Sequence, residues 1–262
     1  MMDSTKIPLD TEKPLRRKAF VPIENNPEVM STLIHRLGLS SELSFYDVFS
    51  IDDADLLAFI PRPAFALLLV FPVSEAYKKF RLKEDQDNPD NDAKETKESV
   101  IWYKQTIVNS CGIMAILHAA SNGDSRKFIS SGSPLDNLIK QALPLGPIER
   151  ADLIYDFEAL ETAHHDAAYQ GQSCAPSAED DIDLHYVCFT KDKDNVLWEL
   201  DGQRKGPLNR GNLGPEDDLL SEKSLNLSVR NFLQREEAAG NGEIRFSLIA
   251  LAQSSICNQR TT

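Results

Sequence analysis

Residues 64 to 71 read AFALLLVF, an unbroken apolar run with Pro-Arg-Pro on one side and Pro72 on the other. Such a run is too short to cross a bilayer, and prolines at both ends argue against its being part of a longer helix. It predicts a central strand buried on both faces. The rest of the chain must then cover both sides of a sheet.

The remaining text supplies candidates for that cover. NPEVMSTLIHRLGL places Val29, Leu33 and Leu37 four residues apart, predicting a helix that Gly38 ends. SFYDVFS alternates as a short strand, VSEAYKKFRL reads as a helix, and SVIWYK reads as a strand. GPIERADLIYDFEALE predicts one helix started by Pro147, with Leu153, Phe157 and Leu160 on one face. LHYVCFT and VLWELD, joined by KDKDN, predict a hairpin. SLNLSVRNFLQRE reads as a helix and EIRFSLIALAQ as a closing strand. The pattern is helices around a central sheet, with no internal repeat.

Two segments break the pattern. Residues 83 to 98 carry seven acidic and three basic groups without a large apolar side chain, and predict a solvated loop. Residues 161 to 183 carry six carboxylates and neither lysine nor arginine. This second segment reads as a long loop without periodicity, and loops of that length inside compact domains tend to be lids or binding loops. His164 and His165 lie in it and read as exposed.

At 262 residues, one domain is the expectation. Residues 1 to 18, with five basic and three acidic side chains, read as a flexible arm. A composition of 41% hydrophobic and 26% charged residues is that of an ordinary globule without a membrane span. The N-terminal stretch lacks the apolar core of a secretory signal, so a cytoplasmic location, with the nucleus as a further compartment, is expected. The four cysteines, Cys111, Cys174, Cys188 and Cys257, are expected as free thiols. A net charge of -13 argues against a nucleic-acid partner; a basic partner is the one it would suit, and keeping the chain in solution is the plainer reading.

The chemistry centres on QTIVNSCGIMAILHAAS, residues 105 to 121. A helix beginning near Asn109 or Ser110 places Cys111 in its first turn, where unpaired N–H groups favour a thiolate. Taken alone, Cys111 reads first as a small buried hydrophobe, and partners must shift that reading. A catalytic thiol needs a base and an orienting group. Of the five histidines, His35 and His118 sit in helical patterns and read as structural. His185 opens one strand of the predicted hairpin and Asp201 ends the other, so both emerge at one sheet edge. Gln105, just upstream of the helix, offers an amide for an oxyanion. Zinc binding by Cys174, His185 and Cys188 is a weak competitor, since one H-x-x-C without a second paired motif is poor evidence.

These residues closely resemble the ubiquitin C-terminal hydrolases, especially the small single-domain members. QTIVNSCG resembles the active-site motif, DLHYVCF the segment of the general base, and LWELDGQRKGP that of the orienting aspartate. VPIENNPEV, PRPAFALLLVFP, YQGQSCAPS and EIRFSLIAL extend the likeness over residues 20 to 253. Ile113 and Ala115 stand where the family usually has threonine and glycine, and the His185 to Asp201 connection is one residue longer than in close relatives.

The resemblance implies an α+β fold: a papain-like α-β-α sandwich around a six-stranded, mostly antiparallel sheet, with a knotted backbone and a crossover loop over the site at about 161 to 183. It implies a catalytic domain over residues 19 to 253, with a tail at 254 to 262. It implies a cofactor-free, metal-free thiol hydrolase cleaving after the C-terminal glycine of ubiquitin, with Cys111, His185, Asp201 and Gln105 as its machinery. Small adducts and short or unfolded extensions are the implied leaving groups. Ile23, Glu24, Glu28, Gly171, Gln172, Asp183 and Leu184 are the implied substrate contacts. Ubiquitin is the implied partner of a monomer, with ubiquitin-like modifiers left open, and a slow ubiquitin-holding protein is the alternative.

Overall fold

The computed structural model describes residues 18–86, 99–170, 183–238 and 245–254. Its six strands are β1 (Leu43–Asp47), β2 (Ala64–Pro72), β3 (Leu184–Lys191), β4 (Val196–Leu200), β5 (Leu208–Asn212) and β6 (Ser247–Gln253). They form one sheet in the order β1-β6-β2-β3-β4-β5, and every pairing is antiparallel. The apolar run is β2, with β6 on one side and β3 on the other. The expected hairpin is β3 and β4, paired from Cys188 opposite Leu200 to Lys191 opposite Leu197.

Helices cover both faces. α1 (Pro27–Leu37), α4 (Cys111–Ser121), α5 (Pro134–Ala142), α6 (Pro147–Tyr155) and α7 (Glu158–Ala168) lie on one. α2 (Ala54–Leu57), α3 (Glu75–Gln86), α8 (Glu222–Leu227) and α9 (Val229–Ala238) lie on the other. The period of two along each strand divides the core accordingly. Ala66, Leu68 and Val70 of β2 face the first layer, while Leu67, Leu69 and Phe71 face the second. On β3, Tyr186 and Cys188 belong to the first core and Val187 and Phe189 to the second. α1 begins at Asn26, whose side chain accepts from the N–H groups of Glu28 and Val29, and ends at Gly38 with φ 114°.

Five expectations need correction. SVIWYK is no strand: Val100, Ile101, Trp102 and Tyr103 are buried, but side chains replace the ladder. Asn122 both accepts from Ile101 N–H and donates to its carbonyl, and His118 Nε2 accepts from Tyr103 N–H at 2.9 Å. The single helix expected from Pro147 is two, parted at Asp156 and Phe157. The helix expected over SLNLSVRNFLQRE is also two, parted at Ser228.

The two acidic segments are the fourth and fifth. α3 runs to Gln86 and so takes the start of the expected loop at 83 to 98; residues 87 to 98 lie outside the described part. Likewise α7 occupies residues 158 to 168, including the start of the expected crossover loop. Its buried stripe is Leu160, Ala163, His164, Ala167 and Ala168, helical in spacing but made mostly of small residues. Residues 171 to 182, the remainder of that loop, lie outside the described part.

Candidate active site

Cys111 is the first residue of α4 and is half-buried. The preceding Ser110 makes no side-chain cap, its hydroxyl donating instead to the Ile107 carbonyl at 2.7 Å. The first-turn N–H groups are therefore not consumed by a capping oxygen. Asn109 takes φ 57°, the left-handed conformation that asparagine tolerates best after glycine, and turns the chain into the helix. Behind the thiol, α4 is buried from Gly112 to Ser121, which fixes it against the sheet. Gly112 is required by packing: a Cβ there would lie 2.8 Å from Ile23 Cγ1.

His185 enters at the start of β3, opposite Phe71 of β2, and its ring meets the Phe71 ring edge-on at 5.9 Å. Its Nε2 is 2.9 Å from Asp201 Oδ1. Nδ1 is buried without a closed hydrogen bond, and the Cys111 thiol is near enough to add to the upward pull on the imidazole pKa. Burial opposes the charged ring, yet the Asp201 carboxylate outweighs it, and the His185 pKa is raised well above the ordinary 6.5. Asp201 responds in the opposite sense. Burial pushes its pKa up, but His185 and the Gln203 N–H bring it down to about 2. The Cys111 thiol itself points toward the Leu184 carbonyl at 3.9 Å.

Gln105 lies beside this pair through its backbone, its N–H donating to the Gly202 carbonyl at 2.8 Å. Its amide nitrogen is 3.3 Å from the Ile107 carbonyl, and its Oε1 is buried without a partner. The structure thus brings Cys111, His185, Asp201 and Gln105 into one neighbourhood from three separate stretches of chain.

The other expected residues are more scattered. Ile23 is buried, its side chain packed over Gly112. Glu24 and Glu28 line a groove with Phe45, Asp47, Phe49 and Phe59, in which Phe49 and Phe59 are each 76% exposed. Glu28 also lies in the first turn of α1, where a carboxylate complements the helix dipole. Asp183 is exposed and its carbonyl accepts from Val73 N–H, while Leu184 is half exposed. Gly171 and Gln172 lie outside the described residues.

Several residues around the site had no signal in the sequence. Tyr77 donates its hydroxyl to Asp201 Oδ2 at 3.3 Å, and Trp102 Nε1 donates to the Asp201 carbonyl at 3.0 Å. Arg204, buried just past Asp201, pairs with Glu84 and Asp85 of α3. Tyr186 bonds Asn25, which bonds Ser247, tying the segment before α1 to β3 and β6. His164, expected exposed, is buried in α7: it stacks on Phe20 at 4.3 Å, and its Nε2 is 2.8 Å from the Val21 carbonyl. His118 and His35 serve backbone groups, as expected of structural histidines. Among the described residues no three histidine, cysteine or acidic side chains lie together as metal ligands, and no helix is long and apolar enough to cross a membrane.

Comparison with known proteins identifies the family and the fold. The family model "Ubiquitin carboxyl-terminal hydrolase, family 1" matches residues 20–234. The chain is 34% identical over 232 residues to ubiquitin carboxyl-terminal hydrolase isozyme L1 of Monodelphis domestica, covering 88% of this chain and 97% of that one. It is 33% identical over 240 residues to ubiquitin carboxyl-terminal hydrolase YUH1 of Saccharomyces cerevisiae, covering 89% and 96%. In fold it matches the catalytic domain of Trichinella spiralis UCH37 bound to ubiquitin vinyl methyl ester. The TM-score there is 0.67 at 20% identity, over 90% of this chain and 96% of that one. A helix opened by a cysteine over a six-stranded antiparallel sheet, a family match over most of the length and relatives above 30% identity lead to one conclusion: the chain belongs to ubiquitin carboxyl-terminal hydrolase family 1.

Proposed function

We propose that Cys111, His185, Asp201 and Gln105 carry the deubiquitinating thiol hydrolase activity that membership of this family gives the chain. The observation behind the assignment is that a cysteine opens α4 next to an imidazole whose far nitrogen is bonded to a buried carboxylate. His185 holds the proton taken from the thiol as the imidazolium that Asp201 stabilises; the sulfur attacks the carbonyl of ubiquitin's C-terminal glycine; and the imidazolium passes that proton to the leaving group. The Cys111 backbone N–H and the Gln105 amide hold the oxyanion, the amide leaving its contact with Ile107 to do so. Water, deprotonated by His185, then attacks the thioester, and the thiolate is released as leaving group.

Binding follows from the surface. The groove combines exposed Phe49 and Phe59 with the carboxylates of Glu24, Glu28 and Asp47, suited to a partner surface that mixes apolar and basic side chains. Ile23, packed over Gly112 beside Cys111, is assigned to ubiquitin contact along with Asp183, Leu184, Gly171 and Gln172. We assign residues 19 to 253 to the catalytic domain of a cytoplasmic monomer, and residues 1 to 18 and 254 to 262 to its flanks. Leaving groups are small adducts or short, unfolded extensions.

The test is covalent capture with ubiquitin bearing a C-terminal electrophile, followed by mass-spectrometric mapping. An adduct on Cys111, absent in Cys111→Ala, is the expected result. An unlabelled Cys111 in a protein that still binds ubiquitin would leave a holder and remove the enzyme.

A further inference from the structure

Asp201 can orient His185 only if its own carboxylate is held against rotation. Oδ1 accepts two bonds, from His185 Nε2 at 2.9 Å and from Gln203 N–H at 2.8 Å. Rotation about Cβ–Cγ would exchange the oxygens unless the second one is also engaged. Oδ2 accepts from the Tyr77 hydroxyl at 3.3 Å.

Tyr77 is 1% exposed and its ring is confined on several sides. It meets Phe71 edge-on at 4.7 Å and Phe232 at 6.0 Å, and the guanidinium of Arg235 lies over it at 5.6 Å. Phe71 is also the residue whose ring meets His185. One aromatic pair therefore touches both members of the His185–Asp201 couple: Phe71 the ring, Tyr77 the carboxylate. Burial, followed by the charge of Asp201, raises the Tyr77 pKa well above its ordinary value, so the hydroxyl keeps the proton it donates.

The helix carrying Tyr77 is anchored at both ends. At its start the Ser74 hydroxyl accepts from Tyr77 N–H and donates to Glu236. At its end Glu84 and Asp85 each lie 2.8 Å from Arg204 Nη1, three residues past Asp201. α3 thus grips the turn after β4 at two points, the carboxylate of Asp201 and the guanidinium of Arg204.

We propose that Tyr77 is a positioning residue, its hydroxyl fixing the rotation of the Asp201 carboxylate from the anchored helix α3. This rests on the reading of Asp201 as the group that orients His185. Tyr77→Phe isolates the role, because it keeps the ring contacts and removes only the oxygen. The measurement is turnover of ubiquitin carrying a fluorogenic amine on its C-terminal glycine, with active sites counted by the ubiquitin electrophile. Loss of a long bond to a charged acceptor should lower kcat per titrated site about fivefold. KM should stay within about twofold, because no ubiquitin contact is touched.

Asp201→Asn alone should lower kcat by about 10² or more. Adding Tyr77→Phe to Asp201→Asn should then cost nothing further, since the hydroxyl acts through that carboxylate. Full kcat in Tyr77→Phe, or the same fivefold loss on top of Asp201→Asn, overturns the role given to Tyr77. Full kcat in Asp201→Asn overturns the underlying reading of Asp201, and the proposal with it.

Discussion

His185 Nε2 and Asp201 Oδ1 stand 2.9 Å apart with side chains only 2% and 0% exposed. Burial alone would discharge both groups, lowering the imidazole pKa and raising the carboxyl pKa. Each instead moves toward its charged form, because the partner charge is not screened by water. The pair is an ion pair kept in the interior, and breaking it by removing one member leaves the other charge uncompensated.

That coupling sets an alkaline stability limit. His185 has a folded-state pKa above its unfolded value, so its contribution is complete below about pH 6.5 and is lost as pH rises through the raised folded value. Urea unfolding of the wild type should show a declining midpoint between about pH 7 and 10. Asp201→Asn, which removes the cause of the shift, should be less stable at neutral pH and flatter over this window. Parallel curves for the two proteins would contradict the coupling.

His164 sets a separate acid limit with the opposite sign. Burial brings its pKa down to about 4, against a favourable contact with the Val21 carbonyl. A depressed histidine contributes stability above its unfolded pKa, and that share is lost as pH falls from about 6.5 toward 4. His164→Gln keeps a donor for the Val21 carbonyl but does not titrate. Its melting temperature should therefore fall less than that of the wild type between pH 7 and 5. A wild-type decline reproduced in full by the variant would exclude His164 as the source.

The contrast between those two histidines shows what the sequence made legible. The layers, the central strand and the β3–β4 hairpin follow from apolar spacing, and the hairpin alone brings His185 and Asp201 to one edge. His164 was hidden because its helix buries alanines, which carry no strong apolar signal. The 99 to 104 segment misled because a buried apolar run normally pairs, and here Asn122 and His118 take the ladder's place. β5, reading LNRGN, has no alternation to find. Tyr77 and Arg204 reach Asp201 and α3 over 124 and 119 residues of sequence, and no local pattern encodes such contacts.

Arg204 illustrates the energetic weight of such a hidden residue. Its side chain is 1% exposed and bonded to Asp85 and Glu84, with Glu199 at 3.6 Å. Glu84 and Glu199 keep Arg210 when Arg204 is removed, but Asp85 is left buried without the guanidinium it is bonded to. Arg204→Met should cost about 3 to 5 kcal/mol, seen as a melting temperature lower by roughly 10 °C. A loss below about 1 kcal/mol would mean that water reaches Asp85. The double variant Arg204→Met with Asp85→Leu should recover part of the loss, since no buried charge then remains at that point.

Gly202 joins the two halves of the proposed machinery. It follows Asp201 directly, and its carbonyl receives the Gln105 N–H at 2.8 Å. A Cβ on this residue would lie 2.9 Å from Gln105 Cβ, 3.1 Å from Gln105 N and 3.1 Å from the Tyr103 carbonyl oxygen. Two of those three atoms are backbone and cannot step aside by changing rotamer, so Gly202→Ala must push the Gln105 segment and the Asp201 turn apart. A displacement of about 1 Å at such groups can cost about 10² in rate, and the few tenths of an ångström needed here should cost roughly tenfold. Because Cys111 and the groove proposed for ubiquitin are not contacted, kcat should fall by roughly tenfold while KM and the binding of ubiquitin to the Cys111→Ala form stay unchanged. A Gly202→Ala enzyme with normal kcat would show that Gln105 and Asp201 need no fixed separation. That outcome would also withdraw the oxyanion role proposed for the Gln105 amide.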